Sequence, residues 1–244
     1  MCINNLCWNN RLFNVTFKLY QGEILGIYGL TGSGRTELAK VIFGRFPYER
    51  GEIILDGRKN IKIRCPRDAI NYGIAYVPED RRGEGIISEL SVGENISLIS
   101  LNYTRRNSFS LINKKEEKRQ VAELVKGLSI KTPSFKQKVK FLSGGNQQKV
   151  VLAKWLNRLN AQVIIFDEPT RGIDVGAKAQ IYKIIDELVR KGKSIVLISS
   201  ELPEILGLSD RILVMAGGKI VGEFSGDVSE EEILTCALKQ REKI

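Results

Sequence analysis

Two runs in this chain, VIIF at residues 163–166 and IVLI at 195–198, carry an apolar side chain at every position. Successive residues of a strand face opposite sides, so a strand apolar throughout has to be covered on both faces. That requirement points to a mainly parallel sheet with helices on either side, because parallel neighbours are joined by helical crossovers. Further branched runs, EILGIYG, GIAYVP and RILVMAGGKIVGE, alternate with helical patterns. RTELAKVIFG gathers Leu38, Val41 and Ile42 on one face and stops at Gly44. AKAQIYKIIDELVRKGKS repeats the pattern with Ile181, Ile184, Ile185 and Leu188 and ends at Gly192.

Length and composition agree with a globular α/β chain of one or two lobes: 244 residues, 43% hydrophobic and 27% charged. No apolar run approaches the roughly 20 residues of a membrane span, and MCINNLCWNN lacks a signal segment. The chain is expected in the cytosol unless a partner holds it at a membrane. Four scattered cysteines and the absence of histidine argue against a zinc site. The net charge of +10 is compatible with nucleic acid, anionic lipid or an acidic protein surface. Its densest stretch, Thr104 to Arg119, is interrupted by acidic residues and reads as a solvated face.

Residues from about 83 to 142 contain no comparable apolar strand but offer two capping-box helix starts, Ser91 with Glu94 and Asn113 with Glu116. They read as a helical subdomain inserted into the α/β core, which takes residues 1–82 and 143–244.

Three motifs carry chemistry. Gly29-Leu30-Thr31-Gly32-Ser33-Gly34-Arg35-Thr36 follows a strand and opens a helix. Glycines there let backbone N–H groups turn inward on an anion, beside the positive end of the helix, and Thr36 offers a hydroxyl to Mg²⁺. Arg35 stands where the pattern has lysine, a compact point charge that a planar fork does not imitate. Alone, such a loop is either a nucleotide site or a tight strand-to-helix turn. The second motif, QVIIFDEPTRGIDVG, delivers Asp167 and Glu168 to the carboxyl end of a buried strand, where open α/β sheets bind ligands. Asp167 suits Mg²⁺, and Glu168 suits polarising a water. The third, FLSGGNQQKVVLAKWL, starts a helix at Ser143 and leaves the amides of Gly144 and Gly145 uncovered.

Taken in order along nearly the whole chain, these motifs resemble the ATP-binding cassette (ABC) family. GLTGSGRTEL, VPEDRRGEG, LSGGNQQKVVLAKWL and DEPTRGIDVGAK look like the second, C-terminal cassette of monosaccharide importers of the ribose, galactose and arabinose class. The resemblance implies a P-loop NTPase fold with an N-terminal antiparallel β region, and a chain that is half of a two-cassette polypeptide. It implies ATP and Mg²⁺ as ligands, with Gly29, Thr31, Gly32, Ser33, Gly34, Arg35, Thr36 and Glu37 at the nucleotide. Thr36, Glu79 and Asp167 would serve the metal, and Glu168 and Ser200 catalysis. Ser143, Gly144, Gly145 and Gln147 match the signature that faces a partner cassette's ATP, and Asp174 the loop beside it. Three positions depart from the family: Arg35 for lysine, Glu79 for glutamine and Ser200 for histidine. Cassettes of this kind work as ATPases in head-to-tail pairs, on the cytoplasmic face of the membrane. Their partners are permease subunits and, indirectly, a sugar-binding protein; nucleic acid is not expected. The implied division of labour is a slow site of its own and an intact signature that completes the partner's site. Trp8 is open between stacking on adenine and packing in the core. Two other readings remain: a soluble cassette ATPase acting on nucleic acid or ribosomes, and a purely regulatory nucleotide-binding module.

Overall fold

A computed structural model describes residues 1–56, 58–100, 114–157 and 161–239. In chain order its strands and helices are β1 (Cys2–Trp8), β2 (Leu12–Lys18), β3 (Ile24–Gly29), α1 (Arg35–Ile42), β4 (Arg50–Leu55), β5 (Arg58–Ile61), α2 (Pro66–Asn71), β6 (Ile74–Val77), α3 (Val92–Ser97), α4 (Lys114–Gly127), α5 (Gly144–Leu156), β7 (Val163–Asp167), α6 (Val175–Arg190), β8 (Ser194–Ile198), α7 (Leu202–Leu208), β9 (Arg211–Ala216), β10 (Lys219–Ser225) and α8 (Glu230–Lys239). They divide into two compact units.

The first unit comprises Met1–Tyr76, Gln162–Glu168 and Ile185–Ile244. Its main sheet has the order β10-β9-β3-β8-β7-β6. β3 pairs in parallel with both β8 and β9, and β7 with β8. Every residue of β3, β7 and β8 is buried, the outcome that uniformly apolar runs require. α1 ends as its pattern predicts, with Gly44 in a left-handed conformation just beyond Phe43.

A second sheet, β2-β1-β4-β5, is antiparallel. The asparagines of the N-terminal stretch make its tight corner. Asn9 and Asn10 both have positive φ, and the Arg11 N–H donates to Trp8 O at 2.8 Å, which closes a two-residue hairpin turn of the kind that asparagine tolerates. Trp8 stacks on Phe46, with ring centroids 4.6 Å apart.

The second unit comprises Val77–Ala161 and Pro169–Ile184, and so takes in α3, α4, α5 and the start of α6. The capping box forms at α3: Ser91 Oγ accepts from the Glu94 N–H, and Glu94 accepts from the Ser91 N–H. Asn113, the other expected cap, lies outside the described residues. Buried polar side chains fasten these helices together. Asn157 donates to Ile96 O and to Ser100 Oγ, and the buried Lys154 ammonium donates to Gly85 O. Burial draws the Lys154 pKa down to about 8. No helix among the described residues is long and apolar enough to cross a membrane.

Gly26 shows how tightly the main sheet is covered. A Cβ there would stand 2.3 Å from Ser209 Oγ and 2.9 Å from Ser209 Cβ. β3 is held by a neighbour on each side and cannot move away. Gly26→Ala should therefore lower the unfolding free energy by about 1–3 kcal/mol, the usual cost of overpacking, seen as a lower denaturant midpoint with the slope of the transition unchanged.

Candidate active site

β3 leads into a loop that only glycine allows. A Cβ on Gly29 would lie 2.3 Å from Met215 O, and Gly32 and Gly34 have φ of 82° and 99°. The Gly218 N–H donates to Ser33 O at 2.9 Å, tying the β9–β10 turn to the loop. Thr31 and Gly32 are exposed at its rim. Ser33 Oγ is buried and has no hydrogen-bond partner among the described residues. An unmet hydroxyl beside the free amides of the first turn of α1 is the donor set that a phosphate group would satisfy.

Behind the loop lies Asp167, fully buried at the end of β7. Thr36 Oγ donates to its Oδ1 at 3.1 Å and Tyr76 OH to its Oδ2 at 2.9 Å. Burial raises its pKa from the ordinary 3.8 to about 6, against the opposing pull of these two hydroxyls. A desolvated carboxylate in contact with a hydroxyl is a hard-oxygen pair suited to Mg²⁺, which takes one or two protein oxygens and completes its shell with phosphate and water. These residues fit the metal.

Glu168 follows with φ of 49°, unusual for a residue with a side chain, and its N–H donates to Ile198 O. Both of its carboxylate oxygens are engaged. Arg35 Nη2 donates to Oε1 and Ser200 Oγ to Oε2, each at 3.1 Å. The structure thus brings Arg35, Thr36, Asp167, Glu168 and Ser200 together at the end of β7 in two hydrogen-bonded sets, Thr36 on Asp167 and Arg35 with Ser200 on Glu168. Glu37 is turned elsewhere and pairs with Arg11 at 3.1 Å.

The remaining expected residues lie in the second unit. Ser143 precedes α5 in extended conformation, but its hydroxyl accepts from Asn146 Nδ2 at 2.9 Å and does not cap a backbone amide. The glycines after it permit two close approaches. A Cβ on Gly144 would meet the Arg81 guanidinium at 2.8 Å, and one on Gly145 would meet Ala177 Cβ at 2.6 Å. Arg81 donates to Arg171 O and Gly172 O, so it staples the turn after DEP over the start of α5. Gln147 faces inward: its amide donates to Val139 O and Leu142 O and accepts from Arg82. Asp174 Oδ1 accepts from the Ala177 N–H and caps α6. Glu79 forms an ion pair with Arg171.

Two contributors escaped the sequence reading, Tyr76 and Arg81. The signal for Tyr76 was the single hydroxyl in the otherwise apolar strand GIAYVP. For Arg81 it was no more than a basic pair in a glycine-rich turn, whose target comes from a distant segment.

This architecture is that of the nucleotide-binding cassettes. It matches the ADP conformation of MJ1267, an ATP-binding cassette of an ABC transporter, with a TM-score of 0.78 and 25% identity over 98% of this chain and 95% of that one. A dimeric post-hydrolysis state of the cassette MJ0796 bound to ADP and Pi matches with a TM-score of 0.78 at 22% identity, covering 93% of this chain and 99% of the other. Residues 12–171 match the ABC transporter family model. The chain belongs to the ABC transporter family. It is 50% identical to the ribose import ATP-binding protein RbsA of Clostridium tetani over 98% of its own length. It is 54% identical to the xylose import ATP-binding protein XylG of Thermoanaerobacter pseudethanolicus over 92%. It spans 47% and 44% of those two relatives, a little under half of each.

Two expectations follow from the geometry. The rise in the Asp167 pKa from 3.8 to about 6 is worth roughly 3 kcal/mol. Its sign is that of a raised acid: the folded state is favoured below pH 4, and that advantage is lost as pH climbs through 6. Asp167→Asn should therefore match wild-type stability near pH 4 and exceed it by about 2 kcal/mol at pH 8 in thermal melts without metal. In the signature turn, Gly145→Ala faces a fixed methyl, whereas Gly144→Ala faces the movable end of Arg81. In paired melting curves Gly145→Ala should lose about 1–3 kcal/mol and Gly144→Ala clearly less.

Proposed function

We propose that this chain is the ATP-binding cassette of a monosaccharide importer, holding MgATP on its glycine loop. One observation carries the reading: Asp167, buried and raised in pKa, meets the Thr36 hydroxyl directly behind that loop. In this role the amides of Gly34, Arg35 and Thr36 and the Ser33 hydroxyl hold the β- and γ-phosphates, and Thr36 and Asp167 hold Mg²⁺. Bound magnesium supplies neutralisation of the charge on the phosphate oxygens. The close kinship to ribose and xylose import proteins supports a sugar as the transported class.

The same reading gives the chain two unequal tasks. Its own site binds MgATP but turns it over slowly, without the lysine of the loop or a histidine beside the γ-phosphate. Its signature segment, Ser143 to Gln147, completes a competent site on a second cassette joined head to tail, in the same polypeptide or a partner chain. In that assembly it is the C-terminal cassette, docked on permease subunits at the cytoplasmic face of the membrane and served by a sugar-binding protein.

Titration calorimetry on this chain should detect uptake of MgATP that weakens on removal of magnesium, and Asp167→Asn should abolish that dependence. In a two-cassette protein carrying this sequence, Ser143→Arg should lower ATP turnover at least about tenfold, since it blocks donors placed for the transition state. Rapid turnover by the chain alone, or a harmless signature change, would overturn the division of labour.

A further inference from the structure

In the sequence, Arg35 stands where the glycine-loop pattern has lysine. The structure gives it a different target. Arg35 Nη2 donates to Glu168 Oε1 at 3.1 Å, and both residues are only 8% exposed. Its Nη1 lies 3.4 Å from Leu30 O, so the planar fork spans two acceptors at once, which an ammonium on a shorter stem does not. The other oxygen of Glu168 accepts from Ser200. The backbone of Glu168 is fixed as well, by its left-handed φ and its hydrogen bond to Ile198 O. A buried charge pair of this kind does not open cheaply, because each ion would be left uncompensated in a dry site.

We propose that Arg35 is an autoinhibitory positioning residue whose ion pair with Glu168 withholds the catalytic carboxylate, so that this cassette stores bound MgATP and does not hydrolyse it. The proposal rests on the reading of the glycine loop as a nucleotide site. In hydrolysis the water oxygen bonds to the γ-phosphorus. The bond from that phosphorus to the bridging oxygen breaks, its electron pair leaves on ADP, and the water's proton passes to a carboxylate base. Glu168 is the base within reach of the loop, and both of its oxygens are spoken for. Binding need not suffer. Arg35 Nε is buried and has no acceptor among the described residues, so the guanidinium keeps one donor for a phosphate oxygen while Nη2 holds Glu168. Ser200 completes the device, because a hydroxyl in its position secures the second oxygen.

The test combines calorimetric MgATP binding with single-turnover hydrolysis on this chain, for wild type, Arg35→Met, Arg35→Lys and each variant combined with Glu168→Gln. Release of the carboxylate should make at least one Arg35 variant hydrolyse about tenfold faster than wild type, part of what a positioned general base contributes. That gain should vanish when Glu168→Gln is added. A merely structural ion pair gives no gain on removal. If both Arg35 variants bind MgATP yet hydrolyse no faster, or if the gain survives Glu168→Gln, the latch is refuted. Absence of MgATP binding by wild type would instead refute the nucleotide-site reading, and the latch with it. Melting midpoints of Arg35→Met, Glu168→Gln and the double variant test the pair without catalysis: the double should lose less than the two singles combined, and strict additivity would overturn the pairing.

Discussion

The hydrogen bond from Thr36 to Asp167 is the contact on which the first unit's chemistry depends. It joins the first turn of α1 to the end of β7, two elements 131 residues apart in the chain. The sheet makes it possible. β3 and β7 flank β8, so the loop after one and the acid ending the other emerge at the same carboxyl edge. The contact is also under tension of a chemical kind: a carboxylate with no exposure, held by two hydroxyls among the described residues, is kept away from water, and a divalent cation would relieve it.

Close approach, more than charge, organises the second unit. The two glycines that open α5 let Arg81 and Ala177 sit where side chains would otherwise stand. Gln147 and Asn157 then bind the helix to neighbouring turns by filling backbone acceptors that burial would leave unmet. The LSGG string is thus a packing solution as much as a donor set, and its glycines are demanded by geometry even before any ligand is considered.

Much of this was legible in the sequence because the signals are local. Uniformly apolar runs force two-sided burial, glycine stops end α1 and α6, and Ser91 with Glu94 starts α3. The N-terminal hairpin is legible too, in the paired asparagines at 9 and 10. The targets of Arg81 and Tyr76 and the inward turn of Gln147 were not legible, since each depends on acceptors supplied by other parts of the chain.

By itself the sequence determined which residues arrive at the edge of the sheet, and in what order, because strand burial and loop chirality are properties of a few consecutive side chains. Only the tertiary structure decided what Arg35 does. A long cation after a glycine loop can turn toward an anion or toward any carboxylate in reach, and the choice is made by the register that sets Glu168 beside it.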